Sequence, residues 1–275
     1  MALITTPAIV LHCRRWGEAD RLVSLYTERM GKVRGIARGA RRMKSRFGSS
    51  LEPFTVLDVT FFDKGQEAQE SLVCISQADI REHFPVLRED LGRMMAAASM
   101  VNLVLQITVE RDPGPKLFTT LREGLRSLQD GADPSLASVV VQLQVLAHSG
   151  FRPQFDHCVV CESVPSESTI RFSPRAGGVV CEPCARRSQA ACVMLSPGAR
   201  AYLVQAKRWL VPRVTRLKAS GPIRREVEAV LEAYLREILG RRLPSLGQQD
   251  PSWAVDPDRQ KDRSSTQVMS PALGG

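Results

Sequence analysis

Three observations place this chain in the α+β class, as a multidomain protein with an all-β N-terminal part and a helical remainder. Up to about Ile80 the apolar segments are short and rich in β-branched and aromatic residues. After about Asp79 the apolar spacing lengthens to three and four residues, which is the period of a helix. Two Cys-x-x-Cys pairs interrupt the helical part. With 275 residues and 43% hydrophobic content the chain can bury a substantial core, and its length is that of about two domains.

The β part is read over residues 1–80. The segments AIVLHC, RLVSLYT, KVRGIA, PFTVLDVTFF and SLVCIS predict five strands. The connectors between them, Trp16-Gly17, Arg29-Met30-Gly31, the stretch from Gly39 to Ser50 and Asp63-Lys64-Gly65, have turn composition. A five-stranded barrel of this size is what an oligonucleotide-binding (OB) fold needs, and such barrels bind single strands with one sheet face and long loops. Strand count alone leaves any small β-barrel or sandwich open.

The helical part is read over residues 81–244, with the cysteine module at about 155–187 embedded in it. From Phe84 to Arg111 the positions Leu87, Leu91, Met94, Ala98, Val101, Leu105 and Thr108 predict one long helix, stopped by Asp112-Pro113-Gly114-Pro115. A second runs from Pro115 to about Gln129 with Leu117, Leu121, Leu125 and Leu128 inward. A third begins with Asp133 as cap and Pro134 in the first turn, buries Leu136, Val139, Val140, Leu143 and Leu146, and ends at Gly150. Short connections make these an antiparallel bundle. Past the cysteines, Ser196-Pro197 opens a helix carrying Tyr202, Leu203, Ala206, Trp209 and Leu210. Another starts at Pro222, buries Ile223, Val227, Val230, Leu231, Tyr234, Leu235 and Ile238, and stops at Gly240 with Pro244 beyond. Residues 245–275 are poor in apolar side chains, which predicts a disordered tail.

Cys158-Val-Val-Cys161 and Cys181-Glu-Pro-Cys184 are separated by 19 residues, the spacing of a four-thiolate zinc site. Four cysteine ligands close the coordination shell, so Cys158, Cys161, Cys181 and Cys184 predict a structural Zn2+ and not a catalytic one. The segment Arg175-Ala-Gly-Gly-Val supplies a tight turn before the second pair. A redox reading of each pair needs a βαβ context that the pattern lacks. His157 is read as a neighbour of the site, and Cys13, Cys74 and Cys192 as packing residues. Seven cysteines, an odd number, fit a reducing compartment better than a disulfide framework, and the N-terminus puts apolar residues ahead of its charges. No apolar run reaches the roughly 18 residues that span a bilayer. The expectation is a cytoplasmic protein with no membrane segment. No phosphate-binding glycine loop, HExxH, GxSxG or paired-carboxylate signature is present, which favours a binder over an enzyme.

Charge locates the binding function. The chain has 38 Lys+Arg against 29 Asp+Glu, a net charge of 38 − 29 = +9. Eight basic residues and no acidic one fall in RMGKVRGIARGARRMKSR, from Arg29 to Arg46, which leaves +9 − 8 = +1 for everything else. Such a block binds polyanions through released counterions and without sequence readout. Gly31, Gly35, Gly39 and Gly48 interleave the charges, as expected of a loop whose backbone approaches a ligand. Aromatics are scarce at 5%, and only Phe47 lies among the charges, as either a stacking or a core residue.

This order of parts, and above all GKVRGIARGARRMKSRFGSSLEPFTVLDVTFF, resembles the RecO family of bacterial recombination and repair proteins over roughly Ala2 to Leu243. The resemblance implies an ATP-independent mediator that binds single- and double-stranded DNA and anneals complementary strands. It implies RecR and single-strand-binding protein as partners, RecA loading onto covered strands as the outcome, and a nucleoid-associated location. The DNA contacts it implies are Lys32, Arg34, Arg38, Arg41, Arg42, Lys44 and Arg46, with the four cysteines as zinc ligands. Glu162 departs from the pattern, since related knuckles often have Gly after the first pair, and a non-Gly residue there strains the turn. From the residues alone, a zinc-stabilised RNA-binding or ribosome-associated factor stays open as the alternative, and a zinc hydrolase is disfavoured by the closed ligand set.

Overall fold

The first strand is 15 residues long because two partners share it. In a computed structural model describing residues 2–63, 72–165, 170–188, 191–208, 211–214, 218–241 and 243, β1 (Ala2–Trp16) pairs through Ala2–Ile9 with β4 (Val56–Asp63). Through Ala8–Trp16 it pairs with β2 (Asp20–Thr27), with a register shift between Val10 and His12. A bulge of this kind bends a strand so that it can serve two neighbours. With β3 (Gly31–Ala37) and β5 (Val73–Glu82) the strands close into a barrel of order β1-β2-β3-β5-β4. Five strands over the predicted segments agree with the sequence.

Closure falls on one short parallel pairing, Gly35 with Val73, Ile36 with Cys74 and Ala37 with Ile75. The burial of β3 alternates strictly, with Gly31, Val33, Gly35 and Ala37 inward. A Cβ on Gly35 would lie 2.8 Å from Ile75 Cγ1 and 2.9 Å from Val73 Cγ2. The barrel closes there because residue 35 has no side chain. Gly31, at φ +64°, meets the backbone of Asp112 in the same way. These two glycines therefore serve strand packing, in place of the ligand approach expected of them.

After the barrel the helical order is α1 (Val86–Glu89), α2 (Leu91–Ile107), α3 (Pro115–Gln129) and α4 (Pro134–His148). The single helix expected from Phe84 to Arg111 is two helices. Asp90 stands extended between them, and its Oδ1 accepts the Arg93 N–H at 2.7 Å, so a local cap breaks the run that periodicity joins. Leu91 is accordingly exposed, while Ala96, Ala97, Met100, Leu103 and Val104 are buried. Asp133 caps α4 as expected, accepting from the Leu136 N–H at 3.1 Å. The four inward leucines of α3 are all buried.

The chain then enters a small sheet of order β7-β6-β8, made of β6 (Ile170–Ser173), β7 (Gly178–Val180) and β8 (Val193–Leu195), with α5 (Glu182–Ser188) following β7. It returns to the bundle as α6 (Pro197–Arg208), α7 (Val211–Val214) and α8 (Gly221–Leu239). Gly240, at φ 66°, ends α8 in the left-handed conformation the sequence predicts. Trp209, Leu210 and the tail at 245–275 lie outside the described residues.

Barrel and bundle share one apolar core. Ile9, Leu11, Tyr26 and Val56 from the strands are buried in the same cluster as Phe84, Met100, Phe118 and Leu143. Polar contacts surround that seam. Arg111 donates to both oxygens of Asp63, at 3.0 and 2.9 Å, with side chains only 13% and 10% exposed. Lys32 Nζ donates to the carbonyl oxygens of Leu105, at 2.9 Å, and of Thr108, at the end of α2, and Arg34 pairs with Glu110. Burial holds the Lys32 ammonium below the usual lysine range, partly offset by Glu110.

The seam yields a stability prediction. Replacing Asp63 with Ala strands the Arg111 charge and is expected to lower unfolding free energy by about 3 kcal/mol, read by denaturant titration. Lys32→Met is expected to destabilise by about 1–2 kcal/mol by orphaning helix-end carbonyls.

Candidate functional site

Two chemically distinct groups of side chains stand out, and the fold positions each by local means. The first is the basic segment. Arg38 leaves the end of β3, and the connection to β4 is a series of turns in which Arg38, Arg41, Arg42, Lys44 and Arg46 are exposed. Its base is anchored: Ala40, Phe47 and Leu51 are buried in the barrel core, and Ser50 Oγ donates to Phe47 O at 2.6 Å. Phe47, read from sequence as either stacking or core, is core, at 3% exposure. The Arg46 guanidinium lies 5.1 Å from the centroid of that ring.

The seven sequence-predicted cations do not share one environment. Lys32 and Arg34 face outward from β3 into the seam with the bundle, where their charges are already matched. Arg41 is exposed but clamps the loop to the β1–β2 turn, donating from Nη1 to Glu18 O at 2.7 Å and to Gly17 O at 3.3 Å, while its N–H reaches Ala19 O at 2.9 Å. Asp20 Oδ1 completes the clamp by accepting the Gly39 N–H at 2.8 Å. Arg38, Arg42, Lys44 and Arg46 remain, exposed and held by no ion pair to another described residue.

The structure adds two residues to this end of the barrel that charge counting within the loop missed. Arg14 and Trp16 lie on the outer face of β1, and the Arg14 guanidinium sits 5.2 Å from the Trp16 ring centroid. Their signal was present in the run His12-Cys-Arg-Arg-Trp16, where two cations and an aromatic share a strand end.

The second group is the cysteine cluster. The sulfurs of Cys158, Cys161, Cys181 and Cys184 all lie within 4.8 Å of one another, which is close enough for all four to hold one metal ion. Cys158, Cys181 and Cys184 are buried and Cys161 is exposed. The Cys181 N–H points at Cys158 Sγ at 3.4 Å, and Cys161 Sγ lies 3.1 Å from Ser163 Oγ. The Ser163 hydroxyl, with its backbone N–H, pulls the Cys161 thiol down to about 6. Four convergent sulfurs are the donor set that suits a thiophilic cation.

The module owes its shape to two close approaches. Gly177 donates to Pro174 O at 3.1 Å, closing the tight turn expected between β6 and β7, and Gly178 brings its backbone against Gln154. Glu162 has φ 60°, so the strained turn inferred from its sequence position is present. Asp156 ties the module to the bundle, pairing with Lys207 at 2.9 Å and Arg208 at 2.6 Å, while Arg200 donates to Phe155 O at 2.7 Å. His157 lies outside the sulfur cluster, beside Gln154; Cys13 and Cys74 belong to the barrel strands, and Cys192 packs against the cluster without joining the four sulfurs.

A closed barrel with an exposed cationic loop shares its core with a helical unit that carries a four-thiol metal-type cluster, and this pairing defines the class of protein. Residues 1–84 match the family model described as recombination protein O N terminal, and residues 88–247 the model described as recombination protein O C terminal. The chain is 37% identical to "DNA repair protein RecO" of Myxococcus xanthus over 242 residues, 87% of this chain and 93% of the relative. It is 38% identical over 211 residues to the protein of that name from Thermobifida fusca, covering 76% of this chain and 83% of the relative. A Desulfitobacterium hafniense protein of the same name is 30% identical over 277 residues, 97% of this chain and 99% of its own. The chain belongs to the recombination protein O family of DNA repair proteins. Among the described residues no helix is long and apolar enough to cross a membrane.

The left-handed Glu162 gives a prediction. Glu162→Gly removes a conformational penalty of about 1 kcal/mol and is expected to raise the thermal midpoint by about 2–4 °C in a calorimetric scan.

Proposed function

We propose that the chain is a non-enzymatic, ATP-independent mediator of DNA repair that binds single- and double-stranded DNA and anneals complementary strands. In this reading the barrel is an OB fold, for which the order β1-β2-β3-β5-β4 is the required topology. The observation that carries it is the set Arg38, Arg42, Lys44 and Arg46, four exposed cations on a loop whose backbone is clamped at its base. Two strands anneal slowly because their phosphates repel. A surface that neutralises phosphate while leaving base edges unread lowers that repulsion for any sequence.

The proposed contacts are therefore centred on these four, with Arg41 shaping the loop. Lys32 and Arg34, implied as contacts by the family resemblance, take the role of seam residues. We assign Zn2+ to the four cysteines as a structural ion, because four thiolates leave no open position for water or substrate. RecR and single-strand-binding protein enter as partners through family membership alone, as do delivery of RecA to covered strands and a cytoplasmic, nucleoid-associated setting.

The test is to coat one of two complementary oligonucleotides with single-strand-binding protein and follow duplex formation without ATP. Acceleration by this protein is expected; binding to either strand without acceleration would reduce it to a generic nucleic-acid binder, and stronger binding to RNA of equal length would favour an RNA-directed role. The interface itself is tested by salt. Replacing Arg38, Arg42 and Lys44 with Ala is expected to lower the salt slope for single strands by about 2, at roughly 0.7 per lost phosphate contact. Lys32→Met is expected to leave that slope unchanged.

A further inference from the structure

Beside the clamped loop lies a cavity of about 490 Å³ lined by Trp16, Asp20, Ile36, Arg38, Gly39 and Arg42. We propose that it is a base-stacking subsite for single-stranded DNA, in which one unpaired base packs on the Trp16 indole while Arg38 and Arg42 hold the flanking phosphates. This rests on the DNA-binding reading given above and assigns to it a site that the cationic loop alone does not provide.

The lining decides what kind of group fits. Trp16 ends β1 and pairs across the ladder with Asp20 at the start of β2, while Ile36 is the last outward residue of β3. An indole and an aliphatic side chain thus form the walls, with two guanidinium-bearing residues beside them. The Asp20 carboxylate disfavours a phosphate inside the recess, since like charges repel at short range. A neutral, flat base with its anionic backbone outside satisfies both signs of charge. The carboxylate is also held, because Asp20 Oδ1 already accepts the Gly39 N–H at 2.8 Å.

Trp16 is prepared for such a partner. The Arg14 guanidinium lies 5.2 Å from its ring centroid, and a ring already held by a cation loses less freedom when a base packs on it. The cavity also lies where the first inter-strand turn meets the outer face of β2 and β3, the general binding surface of five-stranded barrels of this order. A base within a duplex is already stacked and paired, so an unpaired base is the one free to pack on the indole. The subsite therefore favours single strands, whereas the loop acts on phosphates of either form.

The experiment uses the full chain and fluorescence-labelled oligothymidine or a duplex of equal length, with affinity read by anisotropy across a salt series. Trp16→Ala is expected to weaken single-strand binding about 5- to 140-fold, the equivalent of about 1–3 kcal/mol per stacked base at 1.4 kcal/mol per tenfold. Its salt slope and its duplex affinity are expected to stay as in the unsubstituted protein, and Trp16→Phe is expected to recover most of the loss. In a W209F/W253F background, where Trp16 is the sole tryptophan, saturable quenching by oligothymidine is expected, and this readout does not depend on removing the side chain. Equal losses on single strands and duplex, or retained binding without quenching, would overturn the subsite while leaving the cationic loop in place. Failure of the unsubstituted protein to bind either DNA would overturn the subsite together with the reading beneath it.

Discussion

The ion pair between Arg111 and Asp63 is the constraint on which the arrangement of this molecule depends. Asp63 is the last residue of β4, and Arg111 lies in the short segment leading from α2 to α3. A carboxylate only 10% exposed requires a counter-charge, and a two-pronged guanidinium contact fixes direction as well as distance. Arg111 adopts φ 61° to reach it, and its N–H is bonded to Lys32 O at 2.9 Å. Lys32 in turn places its ammonium on the carbonyl end of α2, where the helix dipole is negative. Apolar burial of Ile9, Leu11, Tyr26 and Val56 supplies the attraction between barrel and bundle, but it is not directional. The charged contacts select one docking among those that greasy surfaces would permit.

That docking divides the outer face of the barrel by use. Along β3 the outward residues run from Lys32 and Arg34, covered by the bundle, to Ile36 and then Arg38 at the loop. Arg38 is six residue steps beyond Lys32, about 20 Å at the usual rise of a strand. A single basic run therefore supplies cations to two places with different physics. In the seam they are matched by helix-end carbonyls and by Glu110, and contribute to geometry. On the loop they are hydrated and unmatched, and carry the free charge that a polyanion can meet. The backbone of the loop is held by Phe47, Arg41 and Asp20 while the side chains of Arg42, Lys44 and Arg46 stay in solvent. Charge is thus concentrated in one place without being fixed to one phosphate spacing, as suits a partner of any sequence.

The parts of this design legible in the sequence are those encoded by short-range spacing. Four cysteines in two pairs specify a convergence of sulfurs because each Cys-x-x-Cys turn aims both side chains inward, whereas the strained Glu162 was located only as a departure from the family's pattern. Asp133, Pro134 and Gly240 mark helix ends through their own backbone preferences. What could not be read are facts set by tertiary contact. Charge type does not reveal that Lys32 faces a helix terminus and Arg42 faces water. Gly31 and Gly35 signal close approach, yet nothing local says that the approaching group is Asp112 or Ile75 and not a ligand. The break between α1 and α2 was missed because apolar periodicity continues through Asp90, and only the carboxylate's bond to Arg93 shows that it caps. Trp16 gained its meaning only when the fold brought Arg38 and Arg42 beside it.

The cysteine module follows from a shortage of core. Around the sulfurs the buried cluster is only Cys158, Val180, Cys181, Cys184 and Ala185, whereas Phe155, Ile170, Phe172, Val179 and Leu195 of the module are buried in the bundle's own core. Bonds from the four cysteines to a metal would compensate for so small a cluster, as small modules generally require. Beside that apolar contact the bundle holds Asp156, whose carboxyl burial tends to raise but which Lys207 and Arg208 hold below its ordinary range. The module is therefore joined to the bundle by apolar and charged contacts together. It sits in the chain between α4 and α6, which pack against each other, so ordering the module also limits where these two helices can begin and end. Convergence of the four sulfurs in this position therefore bears on the architecture of the bundle as well as on the module itself.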